Sequence, residues 1–170
     1  HIPMEDLPVG LKLPANYVAI SGGWTDTSHY KAWTTEGWSV VCERLSRSGF
    51  CPVQLGKEEE PEIGGVLNMR HLNLGQQIRV LSGATAYAGS DGFFSHASAA
   101  LEVPNVVLWG ITPPEVWGHP GQVDVISPRA RNIWWTHYHW AWDGDCRPIM
   151  DAIEPDAVSS AIDEAISMGG

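Results

Sequence analysis

Cysteine is scarce in this sequence. Cys42, Cys51 and Cys146 are the only three, widely spaced and without a C-x-x-C pair. That pattern excludes a zinc ribbon and a thioredoxin-type redox motif, and reads as reduced core thiols of a cytosolic protein. Positive charge is also short: 10 Lys+Arg stand against 20 Asp+Glu, a formal net charge of -10. A non-specific nucleic-acid or anionic-membrane binder needs a basic surface, so both classes are set aside. A small anionic ligand is not, because a local pocket overrides net charge. No apolar run approaches the roughly 20 residues of a membrane-spanning helix. The stretch from His1 to Gly10 has neither a basic start nor an apolar core, so no secretory leader is expected there. No G-x-S-x-G nucleophile elbow occurs, and there is no internal repeat.

What is present is a chain of 170 residues, 44% hydrophobic and 18% charged, enough for one globular domain with a core. A start at His1, without Met, reads as a piece of a longer chain. Nine tryptophans are unusually many for this length, and Trp serves both as core and as a stacking platform for sugars and bases. Residues 1–15, with Pro3, Pro8, Gly10 and Pro14, read as a lead-in or linker, and residues 16–170 as the domain.

Within that domain short apolar runs alternate with amphipathic stretches. Asn16–Ile20, Phe50–Leu55, Ala84–Ala88 and Asn105–Trp109 read as buried strands. Between them lie helical patterns. Thr34 or Thr35 can cap a helix running to about Ser48, with Trp38, Val41, Cys42 and Leu45 on one face and Gly49 as its stop. Asn73 can cap a second, with Leu74, Ile78 and Leu81 inward. A third follows the turn Gly89-Ser90-Asp91-Gly92, with Phe94, Ala97 and Leu101 inward. Pro155 suits the first position of a last helix, striped by Val158, Ile162 and Ile166. Strands without polar alternation, separated by such helices, predict a Rossmann-like three-layer α/β/α domain with a parallel sheet. Its ligand edge is at the carboxyl ends of the strands. Four loops should gather there: Ser21–Lys31, Gly56–Glu60, Gly89–Phe94 and Gly110–Trp117.

The loop from Gly89 to His96 carries the most chemistry. Small residues entering a helix expose backbone N–H groups at a positive helix end, which suits phosphate. The same pattern also describes an ordinary turn with Asp91 as helix cap. Lys31 is either a point charge for a diphosphate or a solvated lysine. The run Glu58-Glu59-Glu60 is either a solvated face or a source of a carboxylate for ribose hydroxyls. His137 and His139 would point the same way on a strand and could share a metal, but no third ligand announces itself. Trp134, Trp135, Tyr138, Trp140 and Trp142 around them read as sheet cover, a partner-contact surface or sugar platforms.

Four segments in order resemble a known family. These are Lys31-Ala32-Trp33-Thr34-Thr35-Glu36-Gly37-Trp38, then Asp91-Gly92-Phe93-Phe94-Ser95-His96-Ala97, then Pro104 to Pro113 with Trp109-Gly110-Ile111-Thr112-Pro113, then Cys146 to Pro155. Together they resemble the C-terminal, donor-binding domain of the ADP-heptose:lipopolysaccharide heptosyltransferases, inverting glycosyltransferases of GT-B fold. The resemblance covers about residues 16–168. It implies half of a GT-B fold, a cytoplasmic setting in lipopolysaccharide biosynthesis, and an ADP-heptose-like nucleotide-diphosphate-sugar donor. No metal or cofactor is implied.

Residue by residue, the resemblance puts Lys31 at the donor, and Glu58, with Glu60 as runner-up, at the ribose. Asp91 would stand beside the sugar and diphosphate, and the amides of Gly92 and Phe93 on phosphate. His96 matches the signature His and Thr112 the Thr of the G-x-T motif. Three positions depart from the family: Gly92 replaces a Ser or Thr, Phe93 replaces a Gly, and Thr34 replaces a Pro. The family's catalytic base, which belongs to an N-terminal acceptor domain, has no counterpart here, so the catalytic residues stay unassigned. The expectation is a donor-binding domain that works with a missing or separate acceptor domain. The competing expectation is a non-catalytic binding or interaction module on the same half-fold.

Overall fold

Three helices start where the sequence signals predict. Thr34 Oγ1 accepts from the Gly37 N–H at 3.0 Å and opens helix α1 (Thr35–Arg47). Asn73 and Gln76 form a capping box, with bonds of 2.9 and 3.2 Å, at the start of α2 (Leu74–Ser82). Pro155 is the first residue of α6 (Pro155–Met168). The computed structural model describes residues 3–23, 31–130 and 147–169. His137, His139 and the aromatic run from Trp134 to Trp142 lie outside the described residues, as does Cys146.

The predicted faces are largely the buried ones. Trp38, Val41, Cys42 and Leu45 of α1 are buried, as are Val158 and Ile162 of α6, with Ile166 packed beside them. On α2, Ile78 and Leu81 are buried, but Leu74 is 53% exposed. As the first helical residue Leu74 faces a cavity rather than the core. Helix α3 (Phe93–Ala100) buries Ala97, while Phe94 and Leu101 are partly covered.

The strands are β1 (Tyr17–Ser21), β2 (Cys51–Leu55), β3 (Leu67–Asn68), β4 (Ala86–Ser90), β5 (Asn105–Trp109) and β6 (Val123–Ile126). Every pairing is parallel, in the order β3-β2-β1-β4-β5-β6. The expected three-layer α/β/α architecture is therefore present. Alternate residues of β1 enter opposite cores: Val18 and Ile20 join α1 and α6, while Tyr17 and Ala19 join α2 and α3. Leu7, Leu11 and Leu13 of the N-terminal segment pack on that second core. Among the described residues, no helix is long and apolar enough to cross a membrane.

Four elements were not expected from the sequence: β3, β6 and the four-residue helices α4 (Pro114–Trp117) and α5 (Arg147–Met150). Boundaries also move, most at β4, which runs from Ala86 to Ser90 rather than Ala84 to Ala88. Gly89 and Ser90 belong to β4, not to a turn, and Gly89 pairs with Ser21 and Val107. Close packing explains this glycine: a Cβ there would stand 2.1 Å from the Tyr87 hydroxyl.

Candidate functional site

In a sheet of this order the chain runs outward in opposite directions from β1 and β4, and the crevice at their carboxyl ends is the topological switch point. A cavity of about 570 Å³ opens there. It is walled by the segments that follow β1, β2 and β4, together with the start of α2.

The wall after β2 is built by buried polar side chains. The Gln54 side chain donates to the Pro61 carbonyl (2.9 Å) and accepts from the Ile63 N–H (3.0 Å). The Gln77 amide joins both backbone groups of Gly56, at 2.8 and 2.9 Å. Arg70 is buried and donates to the carbonyls of Glu58 and Glu60, to Asn68 Oδ1 and to the Glu62 carboxylate. These bonds close the turn on Glu60. Glu60 Oε1 accepts from the Lys57 N–H at 3.0 Å, whereas Oε2 is buried without a partner among the described residues. Burial pushes the Glu60 carboxyl above its ordinary range, against the opposing pull of the Lys57 N–H and of the Arg70 and Lys57 charges. Gly56 has φ +141°, and a Cβ on it would meet the Glu60 carboxylate at 2.7 Å. Glu58 and Glu59 also line the cavity but are exposed.

On the opposite side Lys31 Nζ donates to Asp91 Oδ2 at 2.6 Å. The carboxylate is buried, with 5% of its side chain exposed, and the Lys31 side chain is 24% exposed. The second oxygen, Asp91 Oδ1, lies 3.6 Å from His96 Nε2. Asp91 is thus not the helix cap. Gly92 takes that place, and Ser95 Oγ accepts from the Gly92 N–H (3.1 Å) and donates to its carbonyl (2.7 Å). The first helical bond runs from the His96 N–H to the Gly92 carbonyl at 3.3 Å. The N–H groups of Phe93, Phe94 and Ser95 precede it and stand at the positive end of α3.

Under these groups the floor is tight. The Tyr87 hydroxyl is buried 2.5 Å from Ser21 Oγ, and burial pushes its pKa upward. Gly23, at φ +76°, passes over Ser90 so closely that a Cβ would lie 2.5 Å from Ser90 Cβ. Ser90 Oγ is buried and has no partner among the described residues. Leu72, Leu74, Phe93 and Phe94 give the cavity an apolar wall, and Phe93 remains 52% exposed.

The cavity therefore gathers Lys31, Glu58, Asp91, Gly92 and Phe93 of the expected site, with His96 touching it through Asp91. Thr112 follows β5 and does not line it. The sequence reading passed over Arg70, Gln77, Gln54 and Leu72, and placed Leu74 on the core face of α2 rather than at the cavity. A buried Gln on a strand and a lone Arg in a loop carry no motif, so only the fold exposes their role.

Strand order and crevice together define a Rossmann-like α/β domain with a ligand cleft at its switch point. The chain also matches the glycosyltransferase family 9 (heptosyltransferase) profile over residues 11–141, and it belongs to that family. It is 32% identical, over 105 residues, to lipopolysaccharide heptosyltransferase 1 of Pseudomonas aeruginosa, a match covering 56% of this chain and 29% of that enzyme. Among solved structures it is similar to E. coli ADP-heptose lipopolysaccharide heptosyltransferase II, with TM-score 0.74 and 16% identity over 94% of this chain and 49% of that one. It is also similar to E. coli heptosyltransferase WaaC with ADP, with TM-score 0.69 and 22% identity over 92% of this chain and 46% of the other. The chain spans about half the length of these solved relatives.

Proposed function

We propose that this chain is the donor-binding half of an inverting glycosyltransferase, taking a nucleotide-diphosphate sugar of the ADP-heptose kind. The observation that carries the reading is the meeting of Lys31, Asp91 and the start of α3 at one cleft, with Glu60 on the facing wall. A relative of the same fold is described with ADP. The amides of Phe93, Phe94 and Ser95 are the donors left for a phosphate, since Ser95 occupies the Gly92 N–H. Glu60 suits the ribose better than Glu58: its carboxylate is half-buried in the cavity wall and fixed by the Lys57 N–H, whereas Glu58 is exposed. The apolar wall of Leu72, Leu74 and Phe93 suits the flat base or the sugar's carbon face.

The chemistry assigned to this half concerns the leaving group. The acceptor hydroxyl attacks the anomeric carbon from the face opposite the diphosphate, the new C–O bond forms, and the bond to the phosphate oxygen breaks. The electron pair passes to the diphosphate, and a base on the acceptor side takes the hydroxyl proton. Lys31 and the α3 amides oppose the charge that develops on the departing diphosphate. To do so Lys31 turns from Asp91 toward phosphate. In this reading the setting is cytoplasmic, the pathway is lipopolysaccharide assembly, and the acceptor comes with a separate N-terminal domain.

A second reading has one observation in its favour. Phe93 places an exposed aromatic ring where the family signature has Gly, which suits a module that binds without transferring. Calorimetric titration with ADP, UDP, GDP and ADP-heptose separates the two. Saturable one-to-one binding of a nucleotide supports the donor half. A null result with all four at millimolar concentration favours the interaction module.

A further inference from the structure

His119 lies outside every segment discussed so far, on the turn between α4 and β6. Its Nε2 is 2.8 Å from Nδ1 of His96, with the two rings edge to face at 84° and centroids 5.0 Å apart. Two ring nitrogens at this distance share one hydrogen, so one must be protonated and the other bare. The opposite nitrogen of His96 decides which. His96 Nε2 faces Asp91 Oδ1 at 3.6 Å, where a bare lone pair would meet a carboxylate and be repelled. A neutral His96 that presents N–H to Asp91 has a bare Nδ1. With His96 neutral the shared hydrogen belongs to His119; a doubly protonated His96 would itself donate it.

The placement of His119 is itself built. Asp124 Oδ1 accepts from the Trp109 indole N–H at 2.6 Å and from the Gln122 side chain at 2.5 Å. Gln122 Oε1 in turn accepts from the His119 N–H at 2.9 Å. The end of β5 and the strand β6 thus fix the loop that places the His119 imidazole on His96.

We infer that His119 is a positioning residue: it donates to His96 Nδ1, holds His96 as the Nε2–H tautomer, and so keeps a second donor beside Asp91. The role assigned to that donor rests on the donor-site reading. When Lys31 turns from Asp91 to a diphosphate, the buried carboxylate loses its 2.6 Å partner, and His96 Nε2–H is the group in place to take it over. His119 acts without touching the ligand.

The test is long-range proton–nitrogen NMR of the histidine side chains in the nucleotide-free chain, with His96 assigned through a His96→Gln variant. His119→Gln keeps a donor toward His96, and His119→Leu removes it. The expected result is an Nε2–H tautomer of His96 in the native chain and in His119→Gln, with a shift toward Nδ1–H in His119→Leu. ADP affinity should then fall roughly tenfold in His119→Leu and stay within about twofold in His119→Gln. An Nδ1–H tautomer in the native chain, or a tautomer that His119→Leu leaves unchanged, overturns the inference. Should His119→Leu fail to fold, the native tautomer and its retention in His119→Gln still decide it. The NMR arm needs no nucleotide. If the tautomers behave as expected and ADP never binds, the donor-site reading fails and the positioning role stands.

Discussion

Lys31 and Asp91 are sixty positions apart in sequence, and their side chains meet at 2.6 Å over the switch point of the sheet. The contact joins the segment after β1 to the segment after β4, the two strands from which the chain turns in opposite directions. A charge pair here ties the two sides of the cleft together, and under the proposed function its cation stands where the diphosphate enters.

Removing that cation should weaken both binding and folding. Lys31→Met is expected to weaken ADP binding by about tenfold or more, since each tenfold is only about 1.4 kcal/mol. It should also lower stability by roughly 1–3 kcal/mol, because Asp91 loses its charged donor while buried. Calorimetry and urea unfolding check the two effects.

Glu60 gives a prediction with a definite sign. Its carboxyl is raised in the folded chain by burial, so folding favours the protonated form. The associated stability is present below the ordinary carboxylate pKa and is lost as pH rises through the raised value. Glu60→Gln should therefore raise Tm at neutral pH, by about 2–4 °C for each kcal/mol regained in a chain of this size. The gain should vanish in acid, below the unfolded carboxylate's pKa. The same variant should bind ADP less well, whereas Glu58→Gln should change neither quantity much.

Arg70 should not tolerate lysine. Its guanidinium joins the Glu58 and Glu60 carbonyls, Asn68 and Glu62 at once, a set that an ammonium does not span. Arg70→Lys is expected to cost about 2 kcal/mol or more through unpaired buried groups. Hydrogen exchange should speed up across residues 56–63, where the freed carbonyls lie.

Cys42 should resist thiol reagents in the native state. It is buried in the α1 core, and burial pushes its thiol up to about 12. Labelling of Cys42 with a maleimide at neutral pH, followed by peptide mapping, should be slow until denaturant is added, and Cys51, which is partly exposed, should react before it.

The framework was legible because it rests on local signals. Thr34, Asn73 and Pro155 cap or open helices by their own chemistry, and Val18 to Ile20 or Val106 to Leu108 carry strands without polar alternation. What was missed carries little periodic signal: β3 has two residues, and β6 places Asp124 between two valines after a Gly- and Pro-containing loop. Gly89 looked like a turn residue because its true reason, the Tyr87 and Ser21 hydroxyls packed where a Cβ would stand, is a contact inside the sheet. Lys31 and Asp91 were legible as candidates, since charged residues at strand ends have a mechanism. Which of Glu58, Glu59 and Glu60 turns inward was not. That depends on Gln77 and Arg70 closing the loop, and both are distant in sequence. The pairing of His96 with His119 left no trace in the sequence at all.

One titration tests the central claim most directly: ADP into this chain by calorimetry, with Lys31→Met and Asp91→Ala alongside. The account predicts saturable one-to-one binding with Kd of roughly 10 μM to 1 mM, about -7 to -4 kcal/mol. Both substitutions should alter it, and ADP-heptose should compete. No saturable binding of ADP, UDP or GDP at millimolar concentration would contradict the account, as would binding that neither substitution changes.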